Sequence, residues 1–302
     1  MPKAVLLTKY GDPGVLVWGD VPMSDPGPGQ VRIRVEAAGV SPTDPKIRRG
    51  DLEAIFRFHP TQSWVSRLLV WLTHSVPLSR ESEGDEVAAL LLDLGGYGEY
   101  VVASSWTPKP PNVSWSDAAA LPASAEAAVG ILKQLEVSSG ETLLILGAAG
   151  SVGMIATQLA VSQGVTVIGA ASPRDQGLVR DLGAVAVAYG PGLADRVREH
   201  VPTVDAVLDA AGQGGLPDAI ALAGGPARVM TLADEHAADL GVGLSEPTPD
   251  RAPEAVDQTM PLLASGALRL RRQRLLPMND ASEAHRLLED GEAHEKLVLE
   301  AP

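Results

Sequence analysis

The sequence predicts an α/β protein in which a β-rich region precedes a doubly wound parallel sheet. Within residues 1–120, short segments of alternating apolar and polar residues are separated by Pro/Gly clusters, which is typical of antiparallel strands. From Trp115 onward, apolar strands alternate with helical segments. That alternation predicts parallel strands with helices packed on both faces of the sheet.

The elements follow the same two patterns along the chain. In the N-terminal region we expect strands at 3–8, 15–18, 30–37, 86–92 and 98–102. Further on we expect helices beginning at Ser116 and covering 125–135, 176–182, 193–200 and 281–289. The strands expected there are 142–146, 165–170, 185–189, 206–210, 227–232 and 296–299.

Three glycines at a spacing of three join the strand 142–146 to the following helix. Gly147 permits a tight turn, Gly150 lets the backbone approach a pyrophosphate, and Gly153 allows the helix to pack on the strand. The positive end of the helix dipole then faces the phosphates. The turn therefore predicts a dinucleotide site, whose candidate residues are Gly147, Ala149, Gly150, Ser151, Val152 and Gly153.

The end of the second strand bears on which dinucleotide is bound. An Asp or Glu there would grip the ribose 2′-hydroxyl of NAD, but the strand ends in Ala170 and Ala171. Ser172 and Arg174 follow, and their hydroxyl and guanidinium groups suit a 2′-phosphate. NADPH is therefore the expected cofactor. Alternatively, Arg174 is a solvated loop charge and the site accepts either cofactor.

Composition excludes several functions. A net charge of −14 argues against nucleic acid or an anionic membrane as a partner, since both attract basic surfaces. The chain has no cysteine, which excludes disulfides, thiolate catalysis and cysteine-ligated zinc. We expect a soluble cytoplasmic protein, because the sequence shows no signal-peptide pattern and no apolar run long enough to span a bilayer.

An ordered set of short motifs covers nearly the whole chain. It comprises AAGVSPTD at 37–44, GDEV at 84–87, GGYGEYVV at 95–102, PKP at 108–110, AAALP at 118–122, the glycine turn, DLGA at 181–184, DAVLDAAG at 205–212, EAHRLLE at 283–289 and KLVL at 296–299. In this set the chain resembles the zinc-independent medium-chain dehydrogenase/reductases, specifically their quinone oxidoreductase-like branch.

The resemblance implies a GroES-like substrate domain, residues 1–122 completed by 265–302, and a Rossmann NADP-binding domain, residues 123–264, with substrate in the cleft between them. It also implies a homodimer. No metal is expected, because Ser41 stands where zinc-dependent relatives have a cysteine ligand and their Gly-His-Glu motif is missing. The histidines are expected to be solvated or structural.

The resemblance also nominates residues of the site. Its catalytic candidates are Ser41, which stands where quinone reductases usually have an asparagine beside the nicotinamide, and Glu126, which replaces a threonine near the carboxamide. Tyr189, Thr231 and Leu232 are expected among the cofactor contacts, although Tyr189 could instead be an edge aromatic that caps the sheet. Asp44 and Arg49 are expected to hold their loop together.

The segment 57–83 fails to match the family pattern and contains no Gly, Ala or Asp. One hypothesis is a compensated pair of frameshifts, because the shifted frame of Trp64-Val65 must encode a glycine where the family has one. The other is an evolved lid, in which Trp64, Leu68, Leu69 and Leu72 form one face of an amphipathic helix.

Two functions therefore stay open at this point. The first is NADPH-dependent reduction of quinones or α,β-unsaturated carbonyl compounds by hydride transfer, with hydrogen-bond donors stabilising the developing negative charge. The second is a non-redox enzyme or an inactive relative on the same fold, suggested by the altered segment and by the unexpected acid at Glu126.

Overall fold

The computed structural model of the protein describes residues 1–53, 84–91 and 95–302. The strands are β1 (Lys3–Leu7), β2 (Leu16–Asp20), β3 (Val31–Arg34), β4 (Ala37–Gly39), β5 (Val87–Ala89), β6 (Tyr100–Ala103), β7 (Trp106–Pro108), β8 (Thr142–Leu146), β9 (Thr166–Ala171), β10 (Val185–Ala188), β11 (Ala206–Asp209), β12 (Val229–Thr231), β13 (Gly243–Leu244), β14 (Gln273–Pro277) and β15 (Lys296–Glu300). The α-helices are α1 (Thr43–Arg49), α2 (Trp115–Leu135), α3 (Ser151–Ser162), α4 (Gln176–Asp181), α5 (Leu193–Arg198), α6 (Leu216–Ala223), α7 (Ala255–Ala264) and α8 (Ala281–Glu289).

These elements form two compact units. Unit 1 comprises Met1–Ala123, Val256–Ala267 and Arg272–Pro302, and unit 2 comprises Ser124–Ala255 and Leu268–Arg271. The assignment of one region to substrate and the other to cofactor stays a prediction.

Unit 1 is the β-rich part of the chain. Its strands pair as β1 with β2, β3 with β6 and β5 with β7, all antiparallel, and β15 lies between β14 and β4. The alternation that predicted these strands places Val31 and Ile33 of β3 in the core and Arg34 in solvent. Helix α8 packs on this core through Ala284 and Leu287, three residues apart on one helical face.

Unit 2 contains a six-stranded parallel sheet in the order β10-β9-β8-β11-β12-β13. Central β8 has a strand on each side, and its successive residues Leu143, Leu144 and Ile145 are all fully buried, so both faces of the strand are covered. The continuous apolar sequence of β8 follows from this burial. The α/β fold class predicted from the sequence is confirmed.

The helices differ from the prediction at several places, and α1 and α7 were not predicted. The helices expected from Ser116 and over 125–135 form one helix, α2, which contains Pro122. The segment 118–121 just before the proline is buried, and its tertiary packing compensates for the hydrogen bond that proline cannot donate. The sequence analysis also missed α6, whose buried residues Leu216, Ala219 and Leu222 recur at helical spacing.

No helix in the described ranges has the length and apolar character needed to cross a lipid bilayer.

Candidate cofactor and active site

The glycine turn connects β8 to α3 at the carboxyl edge of the parallel sheet. Gly147 has a φ of +79°, which glycine adopts without strain. The N–H groups of Gly147 and Ala148 both donate to the carbonyl of Ala170, each at 3.1 Å, and this fixes the turn against the end of β9. A Cβ at Gly153 would lie 2.2 Å from the Gly147 oxygen, so only glycine allows this approach.

The amino end of α3 fits an anionic group. Gly150 at the N-cap has no side chain to satisfy the first N–H groups of the helix. Met154 is the residue whose N–H bonds back to Gly150, at 2.9 Å, so the N–H groups of Ser151, Val152 and Gly153 precede this bond. Together with the helix dipole they form an anion-binding end, which fits the pyrophosphate of a dinucleotide. Ala149 is buried just before this end.

Ser172 and Tyr189 are brought to the same edge by the pairing of β9 with β10. Ala171 and Ala188 are register partners, and the N–H of Tyr189 donates to the Ala171 carbonyl at 3.3 Å. The Tyr189 side chain is 56% exposed and therefore accessible to a ligand. Arg196, which the sequence analysis missed, donates to the carbonyls of Ala188 and of residues 189–191, and so fixes this loop.

A carboxylate accompanies the predicted phosphate-binding pair. The Ser172 hydroxyl donates to Asp175 Oδ2 at 2.5 Å, and Arg174 Nε lies 3.4 Å from the same oxygen. All three residues lie at or beside the short 3₁₀ turn Pro173–Asp175. The sequence analysis missed Asp175. A serine followed three residues later by an acid at a helical start is a capping pattern that could have identified it.

Thr231 and Leu232 are held at the carboxyl ends of β11 and β12 by Asp209. The Thr231 hydroxyl donates to Asp209 Oδ2 at 2.8 Å, and the N–H of Leu232 donates to the Asp209 carbonyl at 2.9 Å. The other carboxylate oxygen accepts from the N–H groups of Ala211 and Gly212. Thr231 is fully buried and Leu232 half-buried, so Thr231 stabilises the loop after β12 from its buried side. Asp209 was missed because its partner Thr231 lies on a different strand, 22 positions away.

Glu126 has a partner that the sequence did not indicate. Its two carboxylate oxygens accept from Arg251, Oε1 from Nε at 2.6 Å and Oε2 from Nη2. Arg251 also donates through Nη1 to the Ser245 carbonyl at 2.9 Å. The side chains are only 5% and 4% exposed. This pair therefore fixes the segment 245–251 against α2.

Gly130, one turn along α2 from Glu126, makes room for this pair. A Cβ at Gly130 would lie 2.5 Å from Cγ and 2.8 Å from Cδ of Arg251. The arginine stem therefore crosses the helix where a side chain is absent. The acid that departs from the family pattern is thus one of three mutually dependent residues, Glu126, Gly130 and Arg251.

Ser41 lies in unit 1 and is fixed through its backbone. Its N–H donates to Asp44 Oδ2 at 2.6 Å, and the N–H of Asp44 donates to the Ser41 carbonyl at 3.1 Å. This reciprocal pair closes the turn that leads into α1. The hydroxyl of Tyr97 also donates to Asp44 Oδ2, at 3.0 Å. These contacts give Asp44 the loop-holding role expected from the sequence.

Burial controls the protonation states of Asp44 and of the nearby His285. Desolvation raises the pKa of Asp44 to about 7, and the hydrogen bonds from the Ser41 backbone and Tyr97 only partly oppose it. Next to it, the ring of His285 meets Tyr97 edge-on at 6.0 Å. Burial, with the charges of Arg48 and Arg49, lowers the pKa of His285 to about 3. His285 is therefore neutral at physiological pH.

Arg49 closes the loop after α1, as expected. Arg48 and Arg49 both donate to Glu289 of α8, Arg48 from Nη2 at 2.5 Å, and Arg49 also donates to Asp51. The pair of arginines thus ties α1 to α8 within unit 1.

The segment 57–83 lies outside the described residues, so the frameshift and lid hypotheses are both untested. Within residues 1–53, 84–91 and 95–302, no cluster of three or more His, Asp or Glu side chains could hold a metal ion.

Residues 182–299 match a family model described as zinc-binding dehydrogenase. The chain is 32% identical to a 2-methylene-furan-3-one reductase of Solanum lycopersicum over 76% of its own length and 62% of that protein. It is 28% identical to a quinone oxidoreductase of Pseudomonas aeruginosa over 94% of its length and 95% of that enzyme. The chain thus spans less than two thirds of the tomato reductase.

Solved structures of quinone oxidoreductases are similar to this chain over nearly its whole length. A quinone oxidoreductase of Pseudomonas syringae aligns with a TM-score of 0.83 and 25% identity, covering 99% of this chain and 100% of that one. A mycobacterial protein in complex with NADPH aligns with a TM-score of 0.81 and 26% identity, covering 99% of each chain.

The six-stranded parallel sheet and its glycine turn are shared with the class of medium-chain dehydrogenase/reductases, to which the matched structures are similar. In sequence and structure the chain is similar to quinone oxidoreductases of that class, the branch that its motifs indicated.

Proposed function

We propose that this protein is a zinc-free, NADPH-dependent oxidoreductase that reduces quinones or α,β-unsaturated carbonyl compounds by hydride transfer. The observation that carries the proposal is the carboxyl edge of the parallel sheet. The amino end of α3 lies at this edge, with its first N–H groups not capped by a side chain. Ser172, Arg174 and the exposed Tyr189 follow the ends of β9 and β10 at the same edge.

The relatives support the cofactor and the reaction. The mycobacterial protein was solved with NADPH, and an Arabidopsis thaliana relative that is 31% identical is named as an NADPH-dependent alkenal/one oxidoreductase. The Pseudomonas enzymes are named for quinones and the tomato protein for a conjugated furanone.

Each group has a defined role in this proposal. The N–H groups at the amino end of α3 hold the pyrophosphate, while Ser172, Arg174 and Tyr189 receive the adenosine end. When bound, NADPH supplies the hydride that reduces the electron-poor carbon of the substrate. The Ser41 hydroxyl donates a hydrogen bond to the substrate oxygen as negative charge develops there, and solvent supplies the proton that completes the reduction.

Glu126 is a positioning residue in this proposal. Because both carboxylate oxygens are engaged by Arg251, the acid holds the segment 245–251 in place and does not act as a proton donor. The acid was one of two reasons for considering a non-redox or inactive relative, and its pairing with Arg251 gives it a structural role instead.

The test is oxidation of NADPH by the purified protein with benzoquinone or a linear enone as acceptor, followed by loss of nicotinamide absorbance and by mass of the product. Ser41→Ala should lower kcat by about 10²-fold with NADPH affinity unchanged, which is the usual cost of losing one oxyanion donor. Alanine keeps the backbone bond to Asp44, so the loop should stay folded. Ser105→Ala, on the surface of the same unit, is the matched control. No turnover with any quinone or enone would overturn the proposal.

We also propose a cytoplasmic homodimer. The edge strands β10 and β13 of the parallel sheet are its candidate interfaces, because an exposed edge can pair with another chain. Light scattering of the purified protein gives the mass directly, and a monomer would contradict this part of the proposal.

A further inference from the structure

We propose that Asp175 weakens the discrimination between NADPH and NADH. Its carboxylate binds the side chains of Ser172 and Arg174, which would otherwise receive the 2′-phosphate of NADPH. This inference rests on the proposed function, because it concerns the same cofactor site. It identifies a specificity-determining residue that the sequence pattern at Ser172 and Arg174 does not reveal.

The contacts place the carboxylate where a phosphate would be received. Asp175 Oδ2 accepts from the Ser172 hydroxyl at 2.5 Å and lies 3.4 Å from Arg174 Nε, so one oxygen meets both donors. These are the two donors predicted to recognise the phosphate. The backbone supports this arrangement, since the N–H of Asp175 donates to the Ser172 carbonyl at 2.9 Å.

The turn also faces solvent, so a ligand can reach it. The side chain of Arg174 is 55% exposed and that of Asp175 is 30% exposed. Tyr189 lies at the end of the adjacent strand with 56% exposure. The group is therefore a surface recognition element of the sheet edge and not a buried structural pair.

Charge gives the direction of the effect. A 2′-phosphate entering this turn must exchange with Asp175 for the serine and arginine donors, and the carboxylate then lies beside a second anion. The exchange replaces one charge-assisted hydrogen bond with another, so Asp175 reduces the net gain from the phosphate contacts. NADH has a 2′-hydroxyl at this position, which can donate to a carboxylate instead. Asp175 thus disfavours NADPH and tolerates NADH.

The experiment compares wild type with Asp175→Asn in the affinity for NADPH and NADH, measured by titration calorimetry. Asparagine keeps an oxygen that accepts from Ser172 and removes the charge, so the turn should remain folded. We expect NADPH to bind about tenfold more tightly in the variant, the size of one hydrogen bond to a charged group, with NADH affinity not improved. Adenosine 2′,5′-bisphosphate should gain as NADPH does, while AMP should not.

Asp181→Asn is the matched control, because Asp181 is an exposed acid at the end of the following helix and carries the same charge. It should leave the NADPH to NADH ratio unchanged. If Asp175→Asn changes both cofactors equally, or neither, the inference is wrong while the proposed function stands. If neither wild type nor the variant binds any of the four nucleotides, the proposed function fails and this inference fails with it.

Discussion

The buried pair of Glu126 and Arg251 makes a quantitative prediction about what holds the segment 245–251 in place. With side chains 5% and 4% exposed, each charge depends on the other for compensation. Replacing either residue by methionine leaves an uncompensated buried charge, and we expect each single variant to lose about 3–5 kcal/mol of unfolding free energy. Arg251→Met also removes the donor to the Ser245 carbonyl.

The double variant should recover most of this loss, because two methionines of similar volume replace the ion pair with an apolar contact. Methionine keeps the Cγ that passes over Gly130, so the packing on α2 should be preserved. The expected coupling between the two sites is therefore about 3 kcal/mol or more.

An exposed ion pair provides the matched control. Lys133 and Glu254 are 2.6 Å apart and also connect α2 to the chain after Ser245, but their side chains are 53% and 35% exposed. The same methionine cycle at this pair should give a coupling of about 0–1 kcal/mol. Guanidinium unfolding of all variants measures both cycles.

Equal coupling at the two pairs, or single variants at the first pair that cost less than about 1 kcal/mol, would refute the argument from burial. The double variant also separates structure from chemistry. If it folds as stably as wild type and still oxidises NADPH, Glu126 acts by position. Loss of turnover in that folded variant would restore the catalytic role predicted from the sequence.

Four further predictions follow from the described residues. Gly153→Ala should destabilise the protein by at least about 2 kcal/mol in thermal unfolding, because its Cβ would lie 2.2 Å from the Gly147 oxygen, whereas Gly177→Ala, which has open space, should be tolerated. Asp44→Asn should flatten the pH dependence of stability: native Asp44 keeps its proton up to about pH 7 while the unfolded carboxyl releases it near 3.8, so wild-type unfolding free energy should lose a contribution as pH rises through this window. The unfolding free energy of wild type and of Asp44→Asn is measured by urea unfolding at each pH, and the same slope against pH for both proteins would contradict this. Arg174→Glu should cost about 1.5–3 kcal/mol of NADPH affinity, measured by fluorescence titration, with NADH spared. Elemental analysis should find no stoichiometric zinc, and a chelator should leave the melting temperature unchanged; one tightly held zinc per chain would overturn the metal-free proposal.

Local rules were enough to predict the frame of the fold. The glycines at 147, 150 and 153 are dictated by a turn in which backbone approaches backbone, and such a requirement is visible in the sequence as spacing. The strands of the parallel sheet were also predictable, since burial on both faces requires uninterrupted apolar residues such as those of β8. Tyr189 was nominated only through the resemblance, and its position beside Ala171 is a finding of the structure, from the pairing of β9 with β10.

Local rules could not predict which polar groups meet. Glu126 and Arg251 are separated by 125 positions, and Arg48 and Glu289 by 241. Nothing in the immediate sequence of Glu126 distinguishes an acid that faces a cofactor from an acid that a distant arginine neutralises. The tertiary structure distinguishes the two cases, because Arg251 passes over Gly130 and donates to Glu126.

The sequence by itself determined that this chain builds a parallel sheet with a dinucleotide turn, because those features depend on backbone conformation and on burial that repeats along the chain. The tertiary structure alone decided the chemical state of the polar residues. Burial raises the pKa of Asp44, and Arg251 pairs with Glu126. The 3₁₀ turn brings the Ser172 hydroxyl within hydrogen-bond distance of Asp175. The physical reason is that solvation and charge pairing depend on distances in space, which residue spacing along the chain does not specify.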